Sequence, residues 1–167
     1  PTIMEDYKAG NLVSYERKNK LLYALTFYIS AFVSVFFSFL ADPIIRILYG
    51  DAFLAAVSPL QIITWYTAFS YLGVARNAWI VCENRQKYLK WVYGSAAVSN
   101  VLLNLLLIPP FGASGAAAAS LIAQVITTMI APAFIPGLRS NTKMMIDAIF
   151  LKGIFPLKKN KPNGKTK

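Results

Sequence analysis

Residues 21–40 have the sequence LLYALTFYISAFVSVFFSFL, twenty positions without a charged side chain. As a helix, residues 21–41 would extend about 31 Å at 1.5 Å per residue, close to the thickness of the hydrocarbon core of a bilayer. Because lipid offers no hydrogen-bond partners, every backbone N–H and C=O in such a run must be paired within the segment. The stretch therefore predicts a transmembrane α-helix over residues 21–41.

Three further apolar stretches follow, and they predict helices over residues 54–82, 90–109 and 113–137. The whole chain is 56% hydrophobic and 14% charged, against about 25% charged residues in an ordinary soluble domain. A buried helix of a large soluble protein would explain one such apolar stretch, but it does not explain four of them. The sequence predicts an all-α, polytopic membrane protein: four transmembrane helices in residues 1–138, then a basic tail over residues 139–167 that includes an interfacial helix.

Basic residues collect in alternate connections between the predicted helices. Such alternation is expected when Lys and Arg stay on the cytoplasmic side of an even number of spans. We therefore expect both ends of the chain to be cytoplasmic. The basic residues before the first helix, between the second and third, and after the fourth are Lys8, Arg17, Lys18, Lys20; Arg85, Lys87, Lys90; and Arg139, Lys143, Lys152, Lys158, Lys159, Lys161, Lys165, Lys167.

The first external turn is predicted within residues 41–51. Pro43 lacks a backbone donor and restricts Asp42, so Asp-Pro is expected to end the first helix. The segment PIIRILY would then lie at the interface as a short amphipathic turn, and Gly50 would permit the reversal. Physical grounds alone leave open whether this segment is only a turn or has a further role.

The order of these features resembles a known family. After ADPIIRILYG come the pair Asn100 and Asn104, the end LIP at residues 107–109, and the start GASGAA at residues 112–117. Over residues 1–138 this series resembles the C-terminal helices of bacterial polysaccharide (O-antigen-type) flippases, which belong to the multidrug/oligosaccharidyl-lipid/polysaccharide exporter superfamily.

The resemblance implies a function in lipopolysaccharide or related polysaccharide biosynthesis at the bacterial inner membrane. Family members have 12 or more helices in two halves, so a chain of four helices that opens on Pro1 is expected to be a C-terminal portion. The implied cargo is a polyprenyl-pyrophosphate-linked glycan, moved by alternating access with H⁺ or Na⁺ as coupling ion. Membrane lipids and polysaccharide assembly proteins are the implied partners. A drug or cation exporter of the same superfamily, a dimeric four-helix transporter and a non-transporting membrane scaffold stay open as alternatives.

Arg76 is the leading candidate for contact with cargo, and Asn77 beside it belongs to the same candidate set. If the second helix continues to Cys82, Arg76 lies about 10 Å inside its cytoplasmic end. Intramembrane Arg residues usually face a bundle interior or an aqueous path, and the guanidinium fork suits phosphate. The alternative is that the helix ends near Ala75 and Arg76 reaches out to lipid headgroups.

Asn100 and Asn104 complete the candidate substrate-binding residues. They are four positions apart and share one helix face, where amides can either hydrogen-bond to a neighbouring helix or line a cavity. Tyr23 and Tyr93 are interpreted as interfacial anchors. The sequence has no His and one Cys, so we expect no enzyme activity, no cofactor and no metal site. A nucleic-acid role is disfavoured, because the terminal lysines are not interleaved with aromatic residues.

Overall fold

The computed structural model describes residues 5–7 and 9–153, and this part of the chain is helical without β-strands. The predicted all-α class is confirmed for these residues. Three helical stretches are long and apolar enough to cross a membrane: Leu12–Tyr49, Asp51–Cys82 and Gln86–Phe134. In chain order the helices are α1 (Leu12–Tyr49), α2 (Val57–Cys82), α3 (Leu89–Val125), a π-helical turn (Ile126–Ile130), α4 (Ala131–Phe134) and α5 (Arg139–Ile149), with 3₁₀ turns at Asp51–Ala56 and Gln86–Tyr88.

Helix α1 runs through Pro43, so the expectation that Asp-Pro ends the first helix is wrong. A proline removes only one intrahelical hydrogen bond. The Nε of Arg46 donates to the Asp42 carboxylate at 2.8 Å, so a side-chain contact between residues four positions apart spans the proline. The helix ends instead at Gly50, whose φ of 82° lies in the left-handed region. At its start, the side chain of Asn11 accepts a hydrogen bond from the Ser14 amide at 3.3 Å.

Helix α3 is interrupted at Gly112, where φ is 54° and ψ is −128°. The chain folds back there, because a Cβ built on Gly115 would lie 2.6 Å from the carbonyl carbon of Leu107. Tyr93 and Thr127 line the same cavity, although 34 positions of straight helix would separate them by about 51 Å. Residues 89–111 and 113–125 therefore lie side by side as two arms of a hairpin.

Polar contacts join the long helices to one another. The Ser34 hydroxyl donates to the Thr64 carbonyl at 2.7 Å, and Gln61 donates to the Ser38 carbonyl at 3.1 Å, which sets α1 antiparallel to α2. Interhelical hydrogen bonds of this kind contribute to the packing of apolar helices. The second arm of α3 runs parallel to α2, since Ser114 contacts Ser58 near one end and Thr128 contacts Phe69 further along.

Helix α5 packs on the half of α1 nearer its N-terminus. The Asn141 amide donates to the Tyr23 hydroxyl at 2.5 Å, and both side chains are fully buried. Met145 and Ala148 of α5 join the hydrophobic core. The first part of the segment that was predicted to contain an interfacial helix therefore belongs to α5, which packs against the bundle. Residues 154–167, which hold five of the eight basic residues of the predicted tail, lie outside the described residues.

Candidate functional site

Arg76 is buried in the bundle, with 2% of its surface exposed. One guanidinium nitrogen donates to the carbonyl oxygen of Thr127 at 2.5 Å, and the other donates to Oδ1 of Asn77 at 3.1 Å. The third nitrogen, Nε, has no hydrogen-bond partner although it is buried. Arg76 therefore lies inside the protein, and its Nε donor is left without a partner.

The carbonyl that Arg76 binds belongs to the π-helical turn Ile126–Ile130. Single π turns widen the helix and occur frequently at functional sites. The Thr127 hydroxyl donates to the Ala123 carbonyl at 2.6 Å, and the Thr128 hydroxyl donates across to the Phe69 carbonyl of α2 at 3.3 Å. Polar side chains thus join this irregular turn to α2.

The close approach of the π turn to α2 depends on Gly73. A Cβ at this position would lie 3.3 Å from Nε2 of Gln124 and 3.3 Å from Oγ1 of Thr128. Those distances are tighter than ordinary van der Waals contact, so a Cβ at position 73 would require the side chains of Gln124 and Thr128 to shift by a few tenths of an ångström. Gly73 lies one turn from Arg76, and it therefore permits the close approach of the two helices beside the guanidinium.

Asn77 connects the same site to the first arm of α3. Its amide donates to the Tyr93 hydroxyl at 2.8 Å, while its Oδ1 accepts from Arg76. Arg76 and Asn77 consequently bridge three segments: α2, the first arm of α3 and the π turn. Side-chain networks of this kind hold helices in one arrangement when their members are satisfied.

A cavity of about 450 Å³ opens beside this network, between α2 and the two arms of α3. Its walls carry hydroxyl, amide and tyrosine groups among small apolar residues. No charged residue is part of this lining, and the described chain places no ion pair on Arg76. The lining residues are Ile63, Tyr66, Tyr93, Ala96, Ala97, Asn100, Ser120, Ala123, Gln124 and Thr127.

The four residues singled out from the sequence occupy different positions around this cavity. Asn100 lines it directly, and Arg76 and Asn77 bind the lining residues Thr127 and Tyr93. Asn104 donates to the carbonyl and to Oδ1 of Asn100, at 2.8 and 2.9 Å, and lines a neighbouring groove instead. The structure therefore brings Arg76, Asn77 and Asn100 together at this cavity. Asn104 lies one helical turn from Asn100 and lines the neighbouring groove.

Sequence reasoning missed Tyr66, Gln124 and Thr127, and it interpreted Tyr93 only as an interfacial anchor. Gln124 and Thr127 were detectable, because polar side chains in the middle of an apolar run are themselves marks of a functional path. Tyr66 and Tyr93 carried no such mark. Their place in the cavity depends on the hairpin at Gly112, which brings the two arms together.

No group of three or more His, Cys, Asp or Glu that could hold a metal ion lies within residues 5–7 and 9–153. Cys82 is a free, half-buried thiol.

No protein-family model, no curated protein and no solved structure matches the chain. The site is therefore interpreted from its own chemistry.

Proposed function

We propose that this chain forms part of a membrane transporter that moves a lipid-linked oligosaccharide across the bacterial inner membrane. The observation that carries the proposal is the uncharged polar cavity between apolar helices, with buried Arg76 beside it. Polar groups at membrane depth are costly, and they usually mark the path of a substrate or ion. A purely structural bundle has no need of such a cavity.

The chemistry of the cavity fits a glycan attached to phosphate. Tyr66 and Tyr93 offer aromatic faces, while Asn100 and Gln124 offer amide donors and acceptors for sugar hydroxyls. Arg76 supplies a cation that hydrogen-bonds the lining residue Thr127, and a guanidinium matches phosphate geometry. A cationic drug would favour a carboxylate, and none is among the described residues that line the cavity. The lining thus favours a phosphate-linked glycan over the drug-exporter alternative.

We further propose that the two arms of α3 cross the membrane separately, which gives four spans. Residues 89–111 and 113–134 each contain enough residues for about 33 Å of helix, one hydrocarbon thickness. Reporter fusions after Lys20, Gly50, Lys87, Gly112 and Lys143 should alternate inside, outside, inside, outside, inside. Fusions after Lys87 and Gly112 on the same side of the membrane would refute four spans.

The function is tested by replacing Arg76 in cells that produce the protein. Because a hydrogen bond to a charged group contributes about 1.5–3 kcal/mol, Arg76→Ala should reduce export of the surface glycan roughly 10- to 100-fold. Arg76→Lys should restore export only partly, since Lys keeps the charge and loses the fork. Arg46→Ala is the matched control, because Arg46 is half-exposed at the opposite end of the bundle. It should leave export unchanged.

Protein abundance and thermal stability must be measured in parallel, because Arg76→Ala also leaves the Thr127 carbonyl without its donor. Tyr93→Phe provides a second variant that keeps the ring of this lining residue and removes the hydroxyl that accepts from Asn77. Normal glycan export by Arg76→Ala at normal abundance would overturn the role of Arg76. Normal export by both variants would overturn the assignment of the cavity to the transport path.

A further inference from the structure

We propose that the end of the bundle formed by the α2–α3 loop and the start of α5 is a binding surface for anionic phospholipid headgroups. We call it the basic surface and define it by Lys87, Lys90, Arg139 and Lys143. All four side chains are exposed. The inference concerns the surrounding membrane rather than the cargo, and it does not depend on the proposed transport function.

Within the described residues, no carboxylate neutralises the basic surface. The sequence contains no Asp or Glu between Glu83 and Asp147. Those two carboxylates are already engaged, Glu83 by Arg85 at 2.9 Å and Asp147 by Lys20 at 3.3 Å. Within the described chain, no ion pair is formed by any of the four residues that define the basic surface. Their charges are therefore available to external anions.

The fold brings the two parts of this surface together at Gly137. The ring of Tyr88 packs so closely on Gly137 that a Cβ there would lie 2.7 Å from the Tyr88 hydroxyl oxygen. The Arg85 guanidinium also donates to the Gly137 carbonyl. Lys87 and Arg139 each lie within two positions of this contact. Two basic segments that are distant in sequence thus meet at one end of the molecule.

Aromatic rings place the lysines at the depth of lipid headgroups. The ammonium of Lys87 lies 5.2 Å from the ring centre of Tyr88, and that of Lys90 lies 5.8 Å from the ring centre of Trp91. Trp91 is 65% exposed on the outside of the bundle. Exposed tryptophans beside lysines are typical of the membrane–water interface, where anionic lipids attract basic side chains.

The opposite end of the bundle has different electrostatics. There Arg46 is paired with both Asp42, at 2.8 Å, and Asp51, at 2.7 Å. The cation is compensated twice, which leaves no attraction for a phosphate group. The contrast between the ends predicts that anionic lipid gathers around one end only, and it supplies an internal control.

The experiment measures local lipid composition by quenching of tryptophan fluorescence with brominated lipids. A chain with Trp65→Phe and Trp79→Phe keeps Trp91 as its only tryptophan. It is reconstituted in vesicles of phosphatidylcholine with a minor fraction of phosphatidylglycerol, and bromine is placed on one lipid at a time. The matched reporter adds Trp91→Phe and Phe53→Trp, which moves the single tryptophan to the end that carries Arg46. Circular dichroism of both reporters checks that the helices are retained.

We expect phosphatidylglycerol to be enriched several-fold around Trp91 over its bulk fraction, and not around position 53. Lys87→Gln with Lys90→Gln, Arg139→Gln and Lys143→Gln should return the Trp91 ratio to the bulk value, because the four charges that attract anionic headgroups are removed. Should the reporters fold poorly, native mass spectrometry of the otherwise unaltered chain, with and without the four substitutions, counts retained phosphatidylglycerol. Equal enrichment at both ends, or enrichment that survives the four substitutions, would overturn the proposal.

Discussion

The hairpin of α3 makes a sharp prediction for Gly115→Ala. An ideal Cβ at Gly115 would overlap the Leu107 carbonyl group and lie 3.1 Å from the Ile108 amide nitrogen. These are backbone atoms, which cannot rotate away as the end of a flexible side chain can. The two arms must therefore separate to accept one methyl group. Overpacking of this kind costs about 1–3 kcal/mol.

Gly94→Ala is the matched control, because Gly94 lies in the first arm of the same helix and a Cβ there meets nothing within 4 Å. Both substitutions gain the helix propensity of Ala over Gly, about 1 kcal/mol. The difference between the two variants therefore isolates the packing cost, and we expect Gly115→Ala to be less stable by about 1–3 kcal/mol.

The assay is the free energy of unfolding in mixed micelles, followed by circular dichroism as the fraction of denaturing detergent rises. Thermal unfolding provides a second measurement of the same order of stability. Equal stability of Gly115→Ala and Gly94→Ala would refute the close contact of the two arms. It would also remove the geometric basis for counting residues 89–111 and 113–134 as separate spans.

Two further predictions concern the N-terminal half of α1 and the residues before it. Asn141→Ala should destabilise the protein by about 1–3 kcal/mol relative to the exposed control Ser140→Ala, because it leaves the buried Tyr23 hydroxyl without a partner; equal unfolding free energies would contradict this. Asp6 lies 2.6 Å from Lys18, which lowers the pKa of Asp6 below its ordinary value of 3.8. The pair should therefore stabilise the folded segment at pH values above 3.8 and lose that effect as the pH falls through the lowered pKa. A carboxyl NMR titration checks this, and Lys18→Gln should raise the midpoint; a midpoint that does not move would contradict the ion pair.

The composition of the candidate site was only partly accessible from the sequence. Arg76 stood out because a charge interrupts an apolar run. The sequence could not show that a backbone carbonyl of Thr127, rather than a lipid headgroup, receives its hydrogen bond. That contact joins residues 51 positions apart, and it depends on the parallel packing of α2 beside the second arm of α3. Tyr93 and Gln124 became cavity residues for the same reason.

The sequence by itself determined the helical class and the apolar segments, because lipid forces an uncharged run of this length to pair its own backbone groups. It also determined the break at Gly112, where the positive φ is open to glycine at little cost. The tertiary structure decided that α1 continues through Pro43, since a local ion pair and the remaining helical bonds outweigh one missing donor. It also decided that α5 packs on α1, because the buried pair of Tyr23 and Asn141 forms only when two segments 118 positions apart meet.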